Sequence, residues 1–159
     1  MGYYSSNTVQ LLPGAPILPG SVTNQIVQVV VTDTGYTSPL IVNRLRLSTT
    51  GSNNPGTDIA NAKLYYTRSS TTFSTARQYG STITSPNGAM NFTDTASLDP
   101  AAGNNFWLTY DINPGAVIGD SVDAQCDTIL IGATKYVPTT VAPAGSRPID
   151  PYCLGTVTN

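Results

Sequence analysis

The stretch from Gly103 to Ala124, GNNFWLTYDINPGAVIGDSVDA, leaves few choices for the fold. Phe106, Leu108, Tyr110 and Ile112 alternate with Asn105, Trp107, Thr109 and Asp111. That is the two-residue period of a strand with one face turned to a core, and a helical period would not segregate the same residues. Asn113-Pro114-Gly115 then combines a preset φ with a residue free to take positive φ, which predicts a turn. Beyond Gly119 a second alternation begins at Val122, Ala124 and Cys126. The unit reads as strand, connection, strand.

Composition carries the same architecture to the rest of the chain. Charged residues are only 10% of 159, and every acid is Asp. Glu and Lys favour helix surfaces, whereas the abundant Thr, Val, Tyr and Ile suit pleated ones. The 14 Gly and 12 Pro act as punctuation. A chain this long buries roughly 70% of its unfolded surface as one domain. The expected fold is all-β, a two-sheet antiparallel β-sandwich of jelly-roll or Ig-like kind with seven to eight strands, spaced roughly ten residues apart.

Along the chain, residues 1–21 read as a leading edge strand or a linker, because Pro13, Pro16 and Pro19 restrict pairing. Residues 22–138 hold the sandwich. Its expected strands include Asn24 to Thr32, Leu40 to Thr49 with Leu45 and Leu47 inward and Arg44 and Arg46 outward, and Ala62 to Thr67. Asn87-Gly88 carries a hairpin signal, and Gly132-Ala133 a tight turn. Residues 139–159 are rich in Pro and small residues without alternation, which is linker composition.

Several chemistries are excluded. Without any His there is no Ser-His-Asp or Cys-His triad and no ordinary catalytic zinc site. A net charge of −2 with scattered cations argues against nucleic acid as a partner. No run of ~18 apolar residues is present, so no membrane span is expected. Asp120 and Asp123 are the nearest thing to a carboxylate pair, and loop chemistry accounts for both. No catalytic residue is assigned.

Two blocks carry a resemblance. NNFWLTYDINPGAVIGDSVDA, and upstream DIANAKLYYTRSSTTFSTARQYGS from Asp58 to Ser81, are similar in order and spacing to the sialidase-associated, or BNR-associated, N-terminal module. That β-sandwich belongs to large secreted proteins of Bacteroidetes-type bacteria, and the resemblance covers roughly Val22 to Pro138. It implies an accessory module without catalysis of its own, since the family's sialidase machinery belongs to a separate propeller domain. It implies a secreted or cell-surface location and neighbouring domains of the same polypeptide as partners. Pro151-Tyr152-Cys153 resembles the opening of another extracellular module.

Candidate site residues follow from residue type. Trp107, Tyr65, Tyr36 and Tyr79 are candidates for stacking on glycans, with Trp107 and Tyr65 opposite the inward face. The alternative is that these rings cover the outer surface of one sheet. Asp58, Asp94 and Asp99, in or beside loops, are candidate ligands for a structural calcium, and no other cofactor is expected. An Asp near a strand start also commonly accepts backbone N–H bonds. Asp94-Thr95-Ala96, Asp120-Ser121-Val122 and Asp127-Thr128-Ile129 resemble the Asp-Ser/Thr-apolar acceptor for O-glycosylation, placing Thr95, Ser121 and Thr128 as candidates. Cys126 shares the inward phase of Val122 and Ala124, and so reads as a buried free thiol. Cys153 is expected to pair outside this chain, with a staple back to Cys126 as the alternative.

Overall fold

The computed structural model describes residues 4–35 and 38–151. In chain order its elements are β1 (Tyr4–Gln10), β2 (Asn24–Asp33), β3 (Ile41–Ser48), α1 (Pro55–Asp58), β4 (Ile59–Tyr66), β5 (Gln78–Thr84), β6 (Ala89–Ser97), β7 (Ala102–Ile112), β8 (Ser121–Val122), β9 (Gln125–Ile131), β10 (Thr134–Tyr136) and β11 (Arg147–Pro148). The fold is an all-β sandwich of antiparallel sheets. The larger sheet has the order β1-β2-β7-β4-β5, the facing sheet β10-β9-β3-β6, and a small ribbon joins β11 to β8. Seven to eight strands become eleven among the described residues. The excess arises because β8, β10 and β11 are only two or three residues long, too short for an alternation to register.

The centre of the larger sheet is β7, whose alternation sets the core. Phe106 lies opposite Val29 and Tyr66, and Leu108 opposite Val27 and Leu64. The facing sheet answers with rows of its own, Phe92–Leu45–Ile129 and Met90–Leu47–Cys126. These side chains are 0–2% exposed and form one contiguous apolar cluster. Val42 and Leu45 both point inward although three residues apart. A register shift between Val42 and Arg44 permits this, because a bulge inserts one residue and restores the face. Arg44 and Arg46 sit outward, opposite Thr93 and Asn91.

Asn87-Gly88 joins β5 to β6, and these strands lie in different sheets, so the turn is a corner between layers rather than a ladder hairpin. Gly80 shows how close the layers come there: a Cβ on it would lie 3.2 Å from the backbone of Thr93, and its φ is +73°. Only glycine fits such an approach. The expected two-residue turn at Gly132-Ala133 does close a hairpin, with Ile131 opposite Thr134.

The first and last described segments lie on the sandwich. β1 is the outer strand of the larger sheet, paired with β2 along its whole length and ending before the first proline. Residues 139–150, linker-like in composition, also hydrogen-bond to the body. Thr139 N–H donates to Ser6 O at 2.8 Å, Thr8 N–H to Thr140 O at 3.2 Å, and Cys126 N–H to Val141 O at 3.1 Å. Arg147 is buried, and its guanidinium donates to the carbonyls of Ala15 and Gln25 at 3.1 and 2.9 Å. Ile17 and Ile149 form a parallel bridge and are both about 1% exposed. Prolines suppress a strand period, but two buried anchors, Arg147 and Ile149, suffice to dock the segment.

Candidate functional site

The outward face of β7 is a second, smaller core. Trp107 lies between Gln28 and Tyr65 on the outer face of the sheet. The 67–77 segment folds over this row and places Phe73 edge-on to both rings, with centroids 5.7 Å from Trp107 and 5.9 Å from Tyr65. The indole N–H donates to Thr67 Oγ1 at 2.8 Å. Trp107 is left 5% exposed and Tyr65 7%. An aromatic sugar platform needs an open ring face, so neither residue can act as one in this arrangement. Tyr79 is also enclosed, within the inter-sheet core, its hydroxyl donating to Val42 O at 3.0 Å and its ring edge-on to Phe106. Tyr36 lies outside the described residues.

The two asparagines ahead of Phe106 are polar anchors that sequence reasoning passed over. Asn104 is 0% exposed. Its Oδ1 accepts from the Tyr66 hydroxyl at 2.9 Å and from Asp99 N–H at 2.8 Å, while its Nδ2 donates to Asp99 O and Ala102 O. Asn105 Oδ1 accepts from Gln28 Nε2 at 2.7 Å, and its Nδ2 donates to Arg68 O at 3.0 Å. Buried amides must be satisfied or they cost stability. Asn105 pins the start of β7 to the covering segment, and Asn104 pins it to Tyr66 and the Asp99 turn. The signal was present in the sequence: two adjacent amides directly ahead of the apolar run Phe106-Trp107-Leu108.

The calcium candidates do not converge. Asp99 accepts from the Arg68 guanidinium, from Ser69 Oγ at 2.8 Å and from Ser69 N–H at 3.2 Å. The Arg68 cation beside it holds the Asp99 carboxyl below the usual range. Asp94 caps its own surroundings, accepting from Thr95 N–H at 2.7 Å and Gly80 N–H at 3.2 Å. Asp58, in α1, is 0% exposed and accepts from Val117 N–H at 2.8 Å. Among the described residues, no three His, Cys, Asp or Glu side chains come together to hold a metal.

Asp111, on the outer face of β7, has both carboxylate oxygens satisfied. Oδ2 accepts from Lys63 Nζ at 2.8 Å and Asn61 Nδ2 at 3.1 Å, and Oδ1 from Thr23 N–H at 2.9 Å. Burial alone would raise this carboxyl, but Lys63, the Thr23 N–H and the Asn61 amide outweigh burial and hold it below the usual range.

A polar strap closes one end of the sandwich. Residues 51–54 run beside 120–123. Ser52 Oγ donates to Asp123 O at 2.9 Å and accepts from Asp123 N–H at 2.8 Å. Asn53 Oδ1 accepts from Ser121 N–H at 2.7 Å, and Asn54 Nδ2 donates to Asp120 Oδ2 at 2.6 Å. Gly51 takes φ +96° beside Asp123, where a Cβ would lie 2.4 Å from Oδ2. Burial pushes the Asp123 carboxyl up to about 6 against the opposing Ala124 N–H. Asp120 and Asp123 thus serve the strap.

Of the O-glycosylation candidates, Thr95 is exposed on β6, while Ser121 and Thr128 are half-buried on β8 and β9. Cys126 is buried and free, and burial pushes its thiol up to about 12. Cys153 lies outside the described residues.

Surface grooves are also formed by the described residues. One, of about 280 Å³, is lined by Tyr66, Arg68, Ser70, Thr72, Ser74 and Arg77 among others, with the Arg77 guanidinium 5.1 Å from the Tyr66 ring centre. Another, of about 340 Å³, lies along Ser5, Asn7, Thr32 and Thr139. Neither is lined by a carboxylate.

Neither a family model nor a curated protein sequence matches the chain. Among solved structures, a microbial sialidase described as Hadza microbial sialidase Hz136 is similar, with a TM-score of 0.64 and 15% identity over 86% of this chain. A putative membrane-anchored protein from Corynebacterium diphtheriae aligns over 100% of the chain at 12% identity, but its TM-score of 0.37 carries no argument. The chain spans 30% of the sialidase and 38% of the second protein. What the sialidase likeness shows is a fold shared with one part of a larger chain.

Proposed function

We propose that this chain is a non-catalytic accessory domain of a secreted or cell-surface multidomain protein, serving as a spacer and adhesion unit beside a glycoside-hydrolase partner such as a sialidase. The observation that carries this reading is the partial likeness: one region of a sialidase takes in 86% of this chain while 30% of that protein is used. The path of the chain supports a spacer role. Tyr4 pairs with Asp33, which pairs with Ala102 at one end of the larger sheet. Asp150 bonds to Ile17 O at the other end, near the Asn113 turn. Ten residues of β7 separate these ends, a span of about 30 Å. Its neighbouring domains are therefore the first partners to look for. The test is turnover: purified chain incubated with fluorogenic sialosides and aryl glycosides is expected to release nothing above buffer. Saturable turnover that survives repurification would overturn the reading.

The second reading is glycan binding, and the 66–77 groove favours it over the buried rings. Ser70, Thr72 and Ser74 offer hydroxyls and Arg77 a guanidinium, a combination suited to sugar hydroxyls and carboxylates. Glycan-array binding that falls at least tenfold in Arg77→Ala, with an unchanged melting temperature, would support it. Absence of any glycan binding by the folded chain would sink it.

A further inference from the structure

We propose that the strapped end of the sandwich binds a calcium ion between the carboxylates of Asp58 and Asp120. Asp58 is 0% exposed, and its Oδ1 accepts from Val117 N–H at 2.8 Å. Its Oδ2 is buried with no hydrogen-bond partner. A buried carboxylate oxygen in that state costs heavily unless a proton or a cation meets it. The two turns that hold the pair are tied together. Asp58 N–H donates to Asn54 O at 2.9 Å, Asn54 Nδ2 to Asp120 Oδ2 at 2.6 Å, and Asp120 N–H to Val117 O at 3.2 Å.

The Asp58 carboxyl faces that of Asp120. Burial raises its proton affinity, the Val117 N–H opposes that, and Asp120 adds to the rise. The two carboxyls lie within hydrogen-bonding reach of each other, so a shared proton or a cation has to sit between them. No Lys or Arg intervenes, since the three ion pairs among the described residues engage Asp127, Asp111 and Asp99 instead.

Oxygen donors on irregular loops suit calcium better than magnesium, which demands tight octahedral geometry, or zinc, which prefers nitrogen and sulfur. Asp120 is half-buried and Asn54 exposed, so the ion reaches Asp58 from the solvent side. A half-turn of the Asn54 amide brings its Oδ1 into the site as a third protein oxygen, with water completing the shell. Two carboxylates place the affinity in the weak range of extracellular modules, on the order of 10⁻⁴–10⁻³ M.

Thermal unfolding of the whole chain at neutral pH tests this, in EDTA, in 10 mM calcium and in 10 mM magnesium. Calcium is expected to raise the midpoint by about 3–5 °C, with a smaller rise in magnesium. Asp58→Asn and Asp120→Asn should each abolish the calcium rise. In EDTA, Asp58→Asn should melt at or above the parent, because its amide can donate to Asp120. Should Asp58→Asn fail to fold, Asp120→Asn at the more open position decides the matter. No calcium shift in the parent chain, or a shift that persists in Asp120→Asn, overturns the proposal. A parent indifferent to calcium but stabilised by Asp58→Asn would mean that a shared proton fills the gap, and overturns it equally.

Discussion

Asp111 and Asp58 are both nearly or fully buried, yet they live in opposite circumstances. Asp111 on the outer face of β7 collects Lys63, Asn61 and a backbone N–H. Asp58 at the strapped end has the Val117 N–H and confronts a second carboxylate. One region is a closed structure in which each charge has its counterpart, with a lid of Phe73 over Trp107. The other is held by short side-chain bridges and leaves an acceptor open. The contrast locates chemistry better than residue type does. The aromatic-rich face, which composition favours for recognition, is spoken for by its own chain, and the modest loop end is where an outside species has something to satisfy.

Three experiments press on that contrast, in decreasing order of expected effect. If the outer face of β7 is a true second core, Trp107→Ala should cost about 3–5 kcal/mol in urea unfolding. A loss below about 1 kcal/mol would mean that the 67–77 cover contributes little. Next, Asp111→Ala should cost about 2–3 kcal/mol, reduced from the fully buried case because Lys63 is 25% exposed. The double variant Lys63→Met/Asp111→Leu should recover most of it, and equal losses in single and double variants would argue against a coupled pair.

The smallest effect concerns the sign of pH dependence. The Asp111 carboxyl is held below its unfolded value, so its contribution is present above about pH 4 and disappears on acidification through the lower, folded value. Asp123 behaves oppositely. Its folded carboxyl titrates near 6, so below about pH 4 it costs nothing, and stability declines between pH 4 and 6 as the unfolded chain ionises first. Partial exposure trims this decline to about 1 kcal/mol. Asp123→Asn should flatten that part of the stability–pH curve, and an unchanged slope would remove Asp123 as its source.

The sandwich itself was legible because β7 obeys a strict alternation from Phe106 to Ile112, and Leu45 and Leu47 echo it across the core. Period two tells which side chains share a face, but not what covers that face. Trp107 and Tyr65 were accordingly placed on the outer surface, while their cover, a Ser/Thr-rich segment with a single Phe73, carries no period that marks it as one. The docked tail was obscured for a related reason. Prolines erase any period through 139–150, and the anchoring falls to Arg147 and Ile149, single residues that no pattern marks. Asp58 was singled out by its turn, but its counterpart Asp120 lies 62 positions away, a proximity that only the strap between 51–54 and 120–123 creates.

The way the ends are fastened bears on mechanics. β1 is bonded along one edge to β2 and touched along the other by Thr139 and Thr140, and the Ile17–Ile149 bridge ties the tail beside it. Tension applied at Tyr4 and Asp150 therefore runs lengthwise along β1, across the direction of its hydrogen bonds. Those bonds must yield together in shear instead of peeling one by one.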